Sequence, residues 1–315
     1  MERPVSTDSE SVILSSVNDY LRDLAERVAA AVPDLRKIRR LIDEYACIDP
    51  STSGHVASAT PALAGGVPAE WLTTASPPAV DRLLYVHGGS WMSGSLNGYR
   101  AHAGRIAEAT GCSVLNIDYR LAPEDPFPAG LDDCCQAYEW MLQNGPDGPG
   151  PARSAFVAGD SAGGNLILAM LLKRRDESGV LPDAAVALSP ATDLTWSSPS
   201  IRERAELDPI LRPERIETVV HAYLQNQAAV DNPYVSPLFG DLSGLPPLML
   251  QVGDAEILVD DSVRFAEKAE AAGVKVDLDV WPDMPHVFQM FAPYLPAADR
   301  ALHKIGAFVR LAREK

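Results

Sequence analysis

An α/β architecture, a mostly parallel sheet covered on both faces by helices, is the fold class this chain of 315 residues predicts. Three observations point there. Short apolar runs alternate with helix-length segments through most of the chain, the pattern of βα units. The runs are almost continuously apolar, as strands buried on both faces are. No internal repeat and no boundary between two cores interrupts them. Length alone permits one large domain or two, and the unbroken alternation favours a single domain, 1–315.

Taken in order, residues 9–46 read as one or two amphipathic helices, "VNDYLRDLAERVAAA" and "LRKIRRLIDEYA", parted by Pro33. Leu21, Leu24, Val28 and Val32 recur there at helical spacing. Residues 50–70, "PSTSGHVASATPALAGGVPAE", are rich in Ser, Ala, Gly and Pro and read as loop. Alternation then begins. "RLLYVHGG" is a strand, "YRAHAGRIAEATG" a helix closed by Gly111, "CSVLNIDYR" a strand, and "GLDDCCQAYEWMLQNG" a helix closed by Gly145. After the loop "PDGPGPARS" come the strand "AFVAG", the helix "NLILAMLLKRRDESG" and the strand "AAVALSP". The strand "LPPLMLQVGD", the helix "ILVDDSVRFAEKAEAAG", the strand "VKVDLDVWP" and the helix "AADRALHKIGAFVRLAREK" complete the chain. Between Asp193 and about Asp231 a largely helical segment breaks the pattern. With the N-terminal helices it predicts a cap, formed by about 1–46 and 194–231, over the carboxyl edge of the sheet, where open α/β sheets bind ligands.

A hydrophobic fraction of 46% supports a sizeable core, and a formal net charge of −16 leaves no basic stripe to replace phosphate counterions. Nucleic acid is therefore excluded as a partner, and the acidity reads as solubility. Cys47, Cys112, Cys134 and Cys135 have no metal-ligand spacing. They read as free, mostly buried thiols in a reducing compartment. The N-terminus lacks the basic start and apolar run of a signal peptide. No apolar run reaches the roughly 20 residues a membrane span needs. A soluble, cytoplasmic protein is expected.

The chemistry-bearing pattern is "FVAGDSAGGNLIL". Gly159-Asp160-Ser161-Ala162-Gly163 fits Gly-x-Ser-x-Gly between a strand and a helix, the context of a nucleophile elbow. Small flanking residues are required because strand and helix nearly touch there. The pentapeptide alone is a weak signal, since glycine-rich bends containing serine are common. A serine also needs a base. Of the six histidines, His55 lies in the lead-in loop, His102 and His303 in outer helices, and His221 in the cap. His87 closes a strand in "YVHGGSW". His286, in "WPDMPHVFQMF", follows a strand whose carboxyl end lies where the elbow emerges. The base in turn needs a carboxylate. "LMLQVGDAEILVDDS" offers Asp254 and Glu256 at the strand's end, and Asp260 and Asp261 in a solvated first helical turn. The glycines of "YVHGGSW" would expose backbone N–H groups to an oxyanion, joined by the amide of Ala162.

With "HGGSW", "DYRLAPEDPFPA", "GDSAGG", "SPATDLT", "GLPPLMLQVGDAEILVDD" and "MPHVFQMF" in this order, the chain from about Leu83 to Phe308 resembles the hormone-sensitive-lipase-like (bacterial family IV) carboxylesterases of the α/β-hydrolase superfamily. That resemblance implies an eight-stranded, mostly parallel sheet with a helical cap. It implies Ser161 as nucleophile, His286 as general base and then general acid, and Glu256 at the position where the family usually has aspartate, with Asp254 as the fallback. The family's "HGGG" is here "HGGS", so the oxyanion donors fall on Gly89 and Ser90, with Ala162 as the third. His87, Gly88, Asp118, Arg120 and Glu124 belong to motifs read as scaffold. The reaction it implies is hydrolysis of small, short-acyl esters through an acyl-enzyme, without metal or organic cofactor. Trp91, Trp196 and Phe288 are candidate pocket walls. Family members often pair, which makes a homodimer an expectation of the resemblance. Two rivals share the fold: a hormone receptor of the gibberellin type, which lacks the catalytic histidine retained here as His286, and an amidase using the same three residues.

Overall fold

In a computed structural model the described residues are 8–45, 58–74 and 79–313; Cys47 and His55 lie outside them. Eight strands form one sheet in the order β1-β2-β4-β3-β7-β8-β9-β10. These are β1 (Ser58–Ala64), β2 (Val67–Thr73), β3 (Arg82–Val86), β4 (Ser113–Ile117), β7 (Ala155–Asp160), β8 (Ala184–Leu188), β9 (Leu248–Gly253) and β10 (Val276–Trp281). All neighbours from β4 to β10 are parallel, whereas β2 is antiparallel to both β1 and β4. A separate two-stranded ribbon pairs β5 (Asn144–Gly145) with β6 (Gly148–Pro149).

The sheet separates two apolar layers, and strand residues alternate between them with the period of two that pleating imposes. In β3, Leu84 faces one layer while Leu83 and Tyr85 face the other; in β7, Val157 opposes Phe156 and Ala158. The first layer is built with α4 (Ala129–Gln143), α5 (Ala162–Asp176) and α8 (Val259–Ala271), and the second with α1 (Asp8–Ala31), α3 (Leu96–Thr110) and α9 (Pro296–Arg313). The short helix α2 (Leu35–Ile42) follows α1 and is capped by the Asp34 side chain, which accepts from the Lys37 N–H at 3.0 Å. α3 closes on Gly111 in the left-handed conformation, as its sequence predicts.

Four expectations are corrected. Residues read as loop contain the β1–β2 hairpin, turned by Gly65 and Gly66 at φ 63° and 107°. Its outer strand is almost wholly exposed, so it carries no apolar alternation to detect. α4 ends at Gln143, and Gly145 belongs to the β5–β6 ribbon rather than to a helix cap. The segment 194–231 is less helical than expected, holding only α6 (Ser200–Glu203), a 3₁₀ turn and α7 (Ile216–Leu224). Asp261, read as solvated, is fully buried at the start of α8. It accepts from the N–H groups of Thr192 and Asp193 and from the Ser198 hydroxyl, and burial pushes its carboxyl up to about 7. Among the described residues no helix is long and apolar enough to cross a membrane. Cys112, Cys134 and Cys135 are free and buried.

Candidate active site

Parallel strands deliver their carboxyl ends to one edge, and five of them converge here. β7 passes into α5 through Ser161, whose φ of 51° and ψ of −118° lie outside the ordinary wells of an L-residue. Its N–H donates to the Leu188 carbonyl at 2.8 Å, tying the turn to β8. A Cβ on Gly163 would collide with the carbonyl oxygens of Val86 and His87, and one on Gly159 with those of Gly163 and Val86. The small residues of the motif are therefore a steric condition for seating α5 against β3 and β7.

His286, after β10, places Nε2 at 2.9 Å from Ser161 Oγ. Its Nδ1 lies 2.5 Å from Oε2 of Glu256, which follows β9. With the proton on Nδ1, the ring donates to the carboxylate and accepts from the serine hydroxyl. The imidazole is buried. Burial alone would lower its pKa, but the charge and hydrogen bond of Glu256, reinforced by Asp208 and Asp160, outweigh this and raise it above the ordinary 6.5. Asp254 is elsewhere: its Oδ1 accepts from the Asp283 N–H at 2.7 Å on the surface. Asp260 accepts from the Ser200 N–H at 2.8 Å.

Glu256 is fully buried, and its second oxygen is also occupied. Oε1 accepts from Ser189 Oγ at 2.6 Å and from the Gly253 N–H at 2.9 Å. The same Ser189 hydroxyl accepts from the N–H of Val287 at 3.2 Å, so one side chain at the end of β8 braces both the acid and the residue after His286. Val287 sits at φ 48°, a rare conformation for a β-branched residue, and Ser189 at φ 46°. From the N-terminal side, the Tyr45 hydroxyl donates to the His286 carbonyl at 2.5 Å. Neither Ser189 nor Tyr45 was singled out by sequence reasoning. Ser189 stands in the quoted run "SPATDLT", which was the available signal; nothing marked Tyr45.

A cavity of ≈ 60 Å³ opens over the serine. Gly89 and Ser90 line it beside Ser161 and His286, with Ile42, Tyr45, Ile210 and Leu211 opposite. Ser90 holds φ 57°, a left-handed conformation a serine can adopt, while Gly89 at φ 112° occupies a region reserved for glycine. Ala162 opens α5, so its N–H is one of the first-turn donors without an intrahelical acceptor. Asp160, fully buried, accepts from the Tyr85 hydroxyl and from the Gly88 N–H, which joins the elbow to the glycine loop; burial raises its pKa to about 6. The residues read as scaffold behave as such. His87 is stacked between Tyr99 and Tyr119, and burial drives its pKa down to about 4. Arg120 pairs with Asp133, Glu124 with Arg39, and the Asp118 N–H donates to the Pro68 carbonyl.

The three aromatic wall candidates do not line this cavity. Trp91 stacks on Tyr223 at 4.5 Å, and its indole donates to Asn165 at 3.2 Å. Phe288 packs on Trp281 in the core, and Trp196 lies against the opposite layer. The other candidate bases are also remote from the hydroxyl in role: His102 is buried in α3, where burial lowers its pKa to about 3, and His303 pairs with Asp299 on α9. Among the described residues no cluster of three or more His, Cys, Asp or Glu is arranged to hold a metal ion.

A profile of the alpha/beta hydrolase fold matches residues 83–290. An esterase of Acinetobacter venetianus is 39% identical over 234 residues, covering 74% of this chain and 76% of that protein. An acetyl-hydrolase of Streptomyces hygroscopicus is 39% identical over 250 residues, covering 79% and 81%. A crystal structure of an esterase from the bacterial hormone-sensitive lipase family superposes with a TM-score of 0.86 at 36% identity, covering 98% of this chain and all of that one. The chain belongs to the hormone-sensitive-lipase-like carboxylesterases of the α/β-hydrolase fold. In this esterase the glycine loop, the Ser161 turn and the loops bearing Glu256 and His286 meet at the carboxyl edge of the sheet.

Proposed function

We infer that this enzyme hydrolyses small, short-acyl carboxylic esters by two-step acyl transfer through Ser161. The observation that carries this reading is the continuous chain from Ser161 Oγ through His286 to Glu256, at 2.9 and 2.5 Å. In the first step a bond forms from Ser161 Oγ to the ester carbonyl carbon as the hydroxyl proton moves to His286 Nε2. Glu256 holds the ring and stabilises the imidazolium. The amides of Gly89, Ser90 and Ala162 receive the oxyanion, and each such donor is worth about 10²–10³ in rate. The carbon–oxygen bond to the alcohol then breaks, and His286 returns its proton to the leaving oxygen. Water, deprotonated by the same ring, repeats the sequence to release the acid and regenerate the hydroxyl. The preference for short acyl groups draws on the small cavity, ≈ 60 Å³. Of the expected cap, 1–46 and 194–231, the described residues 8–45 and 194–231 would serve in that role, supplying Ile42, Tyr45, Ile210 and Leu211 to the walls.

The test is turnover of p-nitrophenyl acetate, butyrate and octanoate, with p-nitroacetanilide as the amide counterpart. Ser161→Ala is expected to lose about 10⁴–10⁶ in kcat, as nucleophile removal does in serine hydrolases. The acetate and butyrate esters should exceed both the octanoate and the anilide in kcat/KM. Because His286 must be neutral to accept the proton and its pKa is raised, the acid limb of kcat/KM should have its midpoint above 6.5. Serine-independent turnover would overturn the mechanism. Preference for the anilide would favour the amidase.

A further inference from the structure

The segment between β8 and β9 reaches the site through a carboxylate that no motif marks. Asp208, five residues after α6 ends at Glu203, is 2% exposed. Its Oδ1 accepts from the N–H groups of Ile210 at 2.9 Å and Leu211 at 2.8 Å. Its Oδ2 accepts from the N–H of Ile257 at 3.0 Å. Ile210 and Leu211 are walls of the cavity over Ser161, and Ile257 directly follows Glu256. One buried side chain thus grips the substrate-facing wall with one oxygen and the acid loop with the other.

Its surroundings are unusual for a scaffold carboxylate. Among the described residues no lysine or arginine pairs with it, and the guanidinium of Arg212 turns instead to the backbone carbonyls of Asp208, Pro209 and Leu211. A charge held in the interior by amides alone is costly, and a neutral side chain could cap the same turn. The negative charge has a use because His286 lies within its field. The groups that face this ring are Glu256 on the acid loop, Asp208 on the insertion, Asp160 at the end of β7 and the hydroxyl of Ser161, with Tyr45 and Tyr99 lining the same cavity.

We propose that Asp208 is a positioning residue for ester hydrolysis: it locks the Ile210–Leu211 wall to the Glu256 loop, so that closure over the substrate and alignment of the acid with His286 are a single arrangement. This rests on the reading of Glu256 and His286 as the acid and base. Asparagine cannot replace the carboxylate, because it has one acceptor oxygen and its NH₂ would face an amide donor whichever way it is turned. Either the wall or the acid loop is released.

The experiment measures kcat, KM and the pH profile of p-nitrophenyl acetate hydrolysis for Asp208→Asn, with competent sites counted by covalent labelling with a fluorophosphonate. Per labelled site, kcat should fall about tenfold, the effect of one charged hydrogen bond, and KM should rise. The acid limb should also move to lower pH, because His286 loses an anionic neighbour. Unchanged kcat per site with an unmoved limb would overturn the proposal, even if less protein folds, since that is what a purely structural role gives. Should Asp208→Asn yield no labelled protein, Asp208→Glu keeps the charge while displacing the amide contacts. It should leave the limb at the parental pH and lower kcat, and a parental kcat would overturn the proposal. Glu256→Gln in the same assay separates the two levels of the argument. If it retains parental activity, the acid assignment fails; if it collapses while Asp208→Asn behaves as the parent, only the positioning role fails.

Discussion

The carboxyl-edge loops and the helical segments above them are held by different means. Ser161 and Glu256 follow β7 and β9, strands paired on both sides, His286 follows the edge strand β10, which pairs with β9 alone, and the Ser161 turn is locked by atoms that leave no room for a Cβ. The covering segments are attached by apolar packing of Val17, Leu21, Leu24 and Leu41 and by discrete polar contacts. Arg39 on α2 makes paired hydrogen bonds to Glu124 at 2.9 and 2.7 Å and donates to the carbonyls of Met92 and Ala122. Tyr45 reaches the His286 carbonyl, and Asp208 reaches Ile257. On the proposed roles, chemistry falls to loops anchored at the sheet's carboxyl edge and substrate fit to the segments above them. Damage to the first should appear in kcat, and damage to the second mainly in KM.

That contrast can be broken most sharply at the acid. Glu256→Gln should lower kcat by about 10⁴, the loss that follows when a triad carboxylate becomes an amide, whereas Asp254→Asn, which touches only the Asp283 N–H, should stay within about twofold of the parent in the same assay. Reversed losses would move the acid by two residues. A smaller effect is expected at Ser189, the brace between the acid and the histidine loop. Ser189→Ala should lower kcat about tenfold with KM little changed. Deprived of one donor, the Glu256 carboxylate bears more fully on His286, so the acid limb should move to higher pH, opposite to the shift expected for Asp208→Asn. A titration of kcat/KM between pH 5 and 9, on the order of the window in which imidazole titrates, reads both signs. The smallest effect belongs to the cap. Arg39→Ala should raise KM about threefold and leave kcat unchanged, since a partly exposed ion pair contributes roughly 1 kcal/mol or less. Added salt should raise the parental KM toward that of the variant, and a fall in kcat instead would remove the distinction between the two regions.

Legibility in the sequence follows the same division. The elbow, the histidine and the acid loop could be read because each requires a residue type at a fixed offset from a strand end, and the alternation of apolar runs located those ends. Glu256 could be ranked above Asp254 only by resemblance, because two carboxylates at the end of one strand differ in direction, which the sheet decides. The β1–β2 hairpin was hidden by its exposed, alanine-rich outer strand, although Gly65-Gly66 was a turn signal of the right kind. Trp91 and Phe288 were sought in the pocket as large aromatics near the motifs. Each is adjacent to a site residue, and each turns the other way into the core. Ser189 had only the run it stands in as a signal, and Asp208 had none. Ser189 reaches Glu256 and Asp208 reaches Ile257 across tens of residues, and Asp208 looks like any surface aspartate until its burial is known.

The bond from Tyr45 to the His286 carbonyl joins residues 241 positions apart, and Glu10 on the first helix pairs with Arg300 on the last, 290 positions away. On a ribosome adding about 5–20 residues each second, Tyr45 and Glu10 emerge roughly 10–60 s before these partners. Val17, Leu21 and Leu24 of α1 lie in the same apolar layer as α9, so that layer is complete only once α9 has emerged. Tyr45 and Glu10 therefore make these two bonds only after most of the intervening chain has been synthesised.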